Sequence, residues 1–427
     1  MNNKEYYSHQ TKKDSNWNFW INVGDSSFVN LSGSFVFIST LLPLYVSHFT
    51  ESVILNGLVP SIHILASHLP QLFFSSYAES LDKIKPWVVK ISAFERIPWL
   101  LLGLSIILWP DAPKWLSYCS IVLTILVANT AVGVASPAWK ALLSKVIHPD
   151  QKGRMFGIGA ALGGLMGAGG ALFAQHILKV MPFPISYGLC FLCTFVGQAV
   201  SWTFLTLNRE PVKTTKKKNV KITVYLDELT RILKVNNNFR WFLISQTLII
   251  LGKLGVTFYI IYGKYNFKIN ASYSASLTIA ALIGQFIGSP LIGWLGDRLG
   301  HKSAIELSTV FSVVAGLLIT FAPNAQWLYP VFILLTMSDV GGRVTQGTFV
   351  MDMGYKESKI ATYSALATTI LSIPAFLSPI IGGWLIELFN FRIIFLLGVL
   401  ISSCGFLITY FKLVDPRIYN SNNNTTK

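Results

Sequence analysis

Twelve mostly apolar stretches, each about the length a helix needs to cross a bilayer, run through this chain. They fall at residues 27–48, 52–74, 91–109, 115–136, 155–178, 184–207, 240–262, 275–295, 303–323, 327–348, 363–386 and 391–413. A helix rises ~1.5 Å per residue and the hydrocarbon core is roughly 30 Å thick, so about 20 apolar residues suffice. The runs lack the polar–apolar alternation of barrel strands, which leaves helices as the structures able to satisfy backbone groups in lipid. Charged residues make up 12% of the 427, about half of what a soluble domain carries. The sequence therefore predicts an all-α, multi-pass membrane protein.

The net charge of +15 invites a nucleic-acid reading, but its placement excludes one. With the N-terminus inside, 26 of the 34 Lys and Arg are cytoplasmic, 5 external and 3 within spans. Long loops and tails weigh little in orientation. The four short inner loops still hold 11, against Lys114, Lys179, Lys264, Lys268 and Arg392 outside. Both termini are expected in the cytoplasm, in a cell (plasma or inner) membrane. Residues 1–20 are polar and form no cleavable signal peptide, so the first span is expected to serve as the insertion signal.

Two halves are evident. Residues 1–26 read as a cytoplasmic tail, 27–208 as a six-helix bundle, 209–239 as a basic linker, 240–413 as a second six-helix bundle and 414–427 as a C-terminal tail. In the linker, Ile222, Leu226, Leu229 and Leu233 form one apolar stripe. That pattern predicts a short amphipathic helix on the inner leaflet, helped by Lys216, Lys217 and Lys218 against anionic lipid. Cys119, Cys190, Cys193 and Cys404 all lie inside spans. With no second Cys or His cluster, Cys190-x-x-Cys193 reads as packing, and no metal or cofactor is expected. Phosphate loops, paired catalytic carboxylates and His-Glu-x-x-His motifs are absent from the sequence, so it does not read as an enzyme or an ATP-driven pump.

The turn Gly293-Trp-Leu-Gly-Asp297-Arg298-Leu-Gly300-His-Lys302 joins spans 8 and 9. Its degenerate counterpart, Ala78-Glu-Ser-Leu-Asp82-Lys83-Ile-Lys85, joins spans 2 and 3 and aligns Asp82 with Asp297 and Lys83 with Arg298. Gly293 is expected where two helices approach closely, and Gly300 where the backbone needs a conformation other residues resist. The repeat, the span count, the charged middle loop and the loop Pro137–Arg154 together resemble the major facilitator superfamily. That resemblance implies two pseudo-symmetric six-helix bundles that work by alternating access. It also implies that Asp297 accepts hydrogen bonds at the N-terminus of span 5 near Arg154, and Asp82 at span 11, as cytoplasmic gates. Spans 1, 4, 7 and 10 would line a central cavity, with span 3 peripheral. Exporters of this superfamily often carry Gly-Pro-x-x-Gly-Gly in span 5, whereas here Gly167-Ala168-Gly169-Gly170 lacks the proline.

Ionisable residues inside spans are costly and usually functional. Thr336, Asp339, Arg343 and Gln346 share one face of span 10, and Gln246, Lys253 and Thr257 one face of span 7. Lys253, Asp339 and Arg343 are the leading candidates, expected to meet in the cavity, with one net positive charge for an anionic or zwitterionic solute. Asp339 is the first candidate for a coupling proton, with His63 and Asp25 as alternatives. Asn30, with Ser26 and Ser34, and His63, with Asn56, Ser67 and Gln71, form milder polar stripes. Adjacent Glu95 and Arg96 read as a structural ion pair. The expected function is proton-coupled secondary transport of a small solute by a monomer in contact with membrane lipids, with drug or metabolite export favoured. Uptake symport of an anionic or zwitterionic metabolite is the alternative. A non-transporting sensor or lipid scramblase on the same scaffold is the different-class alternative.

Overall fold

The computed structural model describes residues 3–147, 149–211, 231–355 and 360–415. The expected amphipathic helix of the linker falls mainly on 212–230, outside the described residues. The described elements are helical. They comprise α1 (Asn3–Ser34), α2 (Leu41–Val46), α3 (Val53–Ser80), α4 (Lys85–Leu108), α5 (Lys114–Val146), α6 (Pro149–Val180) and α7 (Ile185–Thr206), then α8 (Asn237–Gly252), α9 (Tyr259–Phe267), α10 (Ala271–Leu299), α11 (His301–Thr320), α12 (Leu328–Tyr355), α13 (Ile360–Leu388) and α14 (Phe391–Lys412). Ten helical stretches among the described residues are long and apolar enough to span a membrane. The two remaining expected spans correspond to α1–α2 and to α12, which carry more of the polar residues.

Residues 1–26 were expected as a tail, but α1 is helical from Asn3. The first span then breaks at residues 35–40 instead of continuing to 48. Pro43 explains the break. A proline inside a continuous helix loses a hydrogen bond and clashes with the preceding turn, whereas in the first turn of a new helix it costs little. Starting α2 at Leu41 puts Pro43 in that first turn. Tyr45 anchors α2 through ring contacts with Phe49, Phe183, Tyr187 and Phe191. The first helix of the second half breaks in the same manner. After Gly252 the backbone passes through a turn and a 3₁₀ segment, Val256–Phe258, before α9.

The chain forms two compact units. One comprises Met1–Phe49, Ile62–Asn219 and Ala271–Thr278, the other Thr50–Ser61, Val220–Asn270 and Ile279–Lys427. In the first unit α1 packs on α6 and α7, and α4 packs on α5 and α7. Phe19, Val23, Val88, Leu142, Met155 and Leu205 form part of one apolar core there. In the second unit α8 packs on α14, and α11 on α12 and α14. Phe239, Phe242 and Phe349 stack in its core.

Candidate functional site

Lys253 stands where α8 ends, as the residue that caps it. Glycines on both sides, Gly252 and Gly255, weaken helix continuation. They also let neighbouring backbone approach. A side chain at Gly252 would collide with Ser402 and the Gly398 carbonyl of α14, and one at Gly382 with the Leu254 carbonyl. These contacts hold the break in place. From it Lys253 Nζ donates to Asp339 Oδ1 of α12 at 2.6 Å. The pair is partly open, with side-chain exposures of 22% and 42%. Lys253 and Asp339 are therefore in direct contact. Arg343 lies on α12 four residues beyond Asp339, but its side chain and that of Gln346 fall outside the described residues. Gln246 is buried in α8, and Thr336 spends its hydroxyl on the Phe332 and Ile333 carbonyls of its own helix.

The first unit holds a second charged cluster. Ser201 of α7 donates to Asp25 Oδ1 at 2.5 Å. Arg96 Nη2 donates to the same hydroxyl at 3.4 Å. Arg96 also donates to Glu95 Oε2 at 3.0 Å, to the Ser92 carbonyl at 2.5 Å and to the Gln198 carbonyl at 2.8 Å. Asp25 and Arg96 are both buried. The reading of Glu95–Arg96 as a self-contained pair on a peripheral span omits this link, which Ser201 makes across α1, α4 and α7. Ser201 had no sequence signal, because one serine in an apolar helix is unremarkable.

The polar stripe of α1 faces glycines of α6. Added side chains at Gly159, Gly163 and Gly170 would crowd Ser26, Asn30 and Ser34 respectively. Asn30 itself donates to the Ser26 carbonyl at 2.8 Å. The stripe and the glycine-rich span, two separate observations in the sequence, are thus one helix–helix interface. His63 of α3 sits beside Asn129 of α5 and near His68.

The turn between α10 and α11 makes local contacts of its own. Gly300 does carry a positive φ of 94°. Among the described residues nothing lies within 4 Å of where a side chain at Gly293 would begin. At the N-terminus of α11 the carboxylate of Asp415 accepts from the Lys302 backbone N–H at 3.1 Å. Lys302 Nζ donates to the Tyr410 carbonyl of α14 at 2.7 Å. The first unit repeats the device. Glu210 accepts from the backbone N–H groups of Ile84 and Lys85 at 2.9 and 2.8 Å, and from Lys145 Nζ at 2.7 Å. Lys85 Nζ donates to the Thr206 and Asn208 carbonyls at 2.9 and 3.0 Å. Lys85 therefore plays in the first unit the part that Lys302 plays in the second. Asp82 and Lys83 are exposed, and the Asp82 carbonyl accepts from Lys145 at 2.8 Å. Arg298 lies over the Trp294 ring and Arg154 over the Phe19 ring of α1. Both carboxylates occupy the positive end of a helix dipole.

A family model described as Major Facilitator Superfamily matches residues 96–373 and 246–427. The inner membrane metabolite transport protein YdjE of Escherichia coli K12 is 28% identical over 171 residues, 40% of this chain and 37% of that protein. Myo-inositol transporter 3A of Cryptococcus neoformans is 26% identical over 158 residues, 35% of this chain and 25% of that one. The multi-drug resistance efflux pump PmrA of Streptococcus pneumoniae is 28% identical over 128 residues, 30% and 31% of the two chains. The matched stretches span well under half the length of these relatives. Among solved structures, the nucleoside transporter NupG matches with a TM-score of 0.67 at 13% identity, over 93% of this chain and 100% of that one. The transporter FucP in its outward conformation matches with a TM-score of 0.59 at 14% identity, over 92% and 98%.

Proposed function

The chain belongs to the Major Facilitator Superfamily, and on that premise we propose that it is a secondary active transporter moving a small anionic or zwitterionic solute by alternating access. The observation that carries the substrate class is the Lys253–Asp339 pair at the break between α8 and α9. Discontinuous helices in secondary transporters free backbone groups and charged side chains for a ligand. An ammonium there offers a point charge, and Arg343 four residues along α12 offers a planar fork matched to a carboxylate or phosphate. An incoming anion competes with Asp339 for Lys253, so binding loosens α12 from the broken helix. Without a nucleotide-binding motif in the sequence, the energy comes from a gradient, and we assign it to protons. Export is favoured, in keeping with the similarity to an efflux pump. The uptake reading draws on the similarity to an inositol transporter and a metabolite transport protein.

The test starts from purified protein. A thermal-shift screen of small carboxylates, phosphates, zwitterions and apolar drugs identifies stabilising compounds. Flux of each hit is then followed in proteoliposomes under an imposed pH gradient of either sign. Stabilisation by anions or zwitterions that disappears in Lys253→Met supports the reading. Stabilisation only by apolar compounds, unchanged in Lys253→Met, removes it.

A further inference from the structure

α11 begins on an imidazole held in a slot between two neighbouring helices. His301 is its first residue, placed there by the positive φ of 94° at Gly300. The ring packs against the last turn of α10, where a side chain added at Gly296 would begin 3.0 Å from Nδ1. On its other side, Nε2 lies 3.5 Å from Asp352 Oδ2 of α12. The side chains of His301 and Asp352 are 6% and 31% exposed, so the ring is packed away while the carboxylate still meets solvent.

The charges on the surrounding elements are uneven. α10 contributes Asp297 and Arg298, α11 contributes Lys302 and Glu306, α12 contributes Asp352, and the residues after α14 contribute Asp415. Arg298 lies over the Trp294 ring. Lys302 Nζ donates to the Tyr410 carbonyl and lies 3.7 Å from Glu306. Lys412 of α14 is turned to the Trp241 ring. Among these described groups, four carboxylates stand against Arg298 and Lys302. A neutral imidazole leaves that acidic surplus whole, and an imidazolium halves it. The positive end of the α11 dipole opposes a cation, but Asp415 already meets that end through the Lys302 N–H. Histidine is also the side chain that changes charge between about pH 5 and 8. As an imidazolium it makes a charge-assisted contact with Asp352, and as a neutral ring it makes a far weaker one.

We propose that His301 is a proton-operated clamp, which ties the adjoining ends of α10, α11 and α12 together when protonated and releases them when neutral. The hold is fully present in acid and is lost as pH rises through the imidazole titration. These helix ends are the ones that the loop charges place in the cytoplasm, so cytoplasmic acidity is the signal. The consequence for flux is slower turnover on cytoplasmic acidification, because the clamp stiffens helix ends that alternating access must rearrange. That consequence rests on the transporter reading, but the pH-dependent contact itself does not.

The experiment is thermal melting of the full chain in detergent, from about pH 5.5 to 8.5. Wild type, His301→Asn, Asp352→Asn and the double variant are compared at each pH, so the titration of the other histidines cancels. The advantage of wild type over His301→Asn is expected to be a few degrees larger at the acidic end than at the alkaline end. In the Asp352→Asn background, the same substitution is expected to have an effect that does not vary with pH. His301→Lys carries a permanent cation, so its gap from His301→Asn is expected to stay constant across the range. A gap between wild type and His301→Asn that does not change with pH overturns the proposal. So does a gap that widens towards alkali, or one whose pH dependence survives in Asp352→Asn. Should His301→Asn fail to fold, Asp352→Asn decides the matter, because it keeps the ring. Wild type must then melt above it in acid and lose that advantage as pH rises. Flux of a transported hit is scored separately in proteoliposomes, with pH varied on the cytoplasmic face. Wild type is expected to slow several-fold in acid while His301→Asn does not, and equal slowing in both overturns the regulatory role. Absence of flux for every hit, with the melting result intact, sinks the transporter reading and leaves the clamp standing.

Discussion

At the scale of single residues, Lys253 and Asp339 separate a structural from a functional role by magnitude. Their side chains are 22% and 42% exposed, and pairs this open are worth roughly 0.2–1 kcal/mol. Asp339→Asn is therefore expected to shift the melting temperature by only a few degrees, while flux of a transported solute falls at least tenfold. A large loss of stability with little loss of specific flux would make the pair a brace. These two residues were legible because charged side chains inside apolar runs are few and each stands out. Asp25 stood out for the same reason, but Ser201 did not. Uncharged polar residues in membrane helices commonly bond back to their own backbone, as Asn30 and Thr336 do here, so only the packed structure reveals which ones reach across. Arg96 shows the same limit: adjacency to Glu95 was visible, and its reach to Ser201 on another helix was not.

Among helices, the α1–α6 interface gives a paired prediction. An added methyl at Gly163 would begin within 3.0 Å of Asn30 side-chain atoms, whereas at Gly164 it would meet nothing within 4 Å. Gly163→Ala is expected to destabilise by about 1–3 kcal/mol through overpacking. Gly164→Ala is expected to be neutral or to stabilise by up to ~1 kcal/mol through helix propensity. Thermal melting of the two purified variants checks the ordering, and equal effects would mean the glycines serve only backbone flexibility. The capping carboxylates give a second contrast. Glu210 and Lys145 have side-chain exposures of 6% and 8%, and breaking such a pair costs about 3–5 kcal/mol. Because Lys145 keeps the Asp82 carbonyl, Glu210→Ala is expected at the lower end of that range. Asp415→Ala removes a cap, worth roughly 0.5–2 kcal/mol. A larger loss for Asp415→Ala, measured by the same melts, would reverse this order. The sequence made the Gly300 turn legible because its conformation is local. It did not show which acid caps which helix, because Glu210 and Asp415 lie far along the chain from the helices they cap.

For the molecule as a whole, the span pattern carries most of the information, because the bilayer sets one length for every crossing helix. What it hides are the two breaks, at residues 35–40 and after Gly252, where the apolar run continues although the helix does not. Pro43 and the Gly252–Gly255 pair mark both breaks, yet hydropathy averages over them. Orientation rests on charge alone. The short inner loops hold 11 Lys and Arg against 5 in the outer loops, and such a bias orients membrane proteins through their short loops. This predicts that Lys217, in the middle connector, and Asn270, between the seventh and eighth spans, lie on opposite sides. Single cysteines are placed at each position in a background without Cys119, Cys190, Cys193 and Cys404. A membrane-impermeant maleimide applied to intact cells should label position 270, whereas position 217 should react only after permeabilisation. Six spans separate the N-terminal tail from position 217 and one more separates 217 from 270, so the result also tests the count. An odd number of crossings lost or gained between the two sites would put both labels on the same side. That outcome would mean the broken seventh helix, α8 with α9, does not cross the membrane.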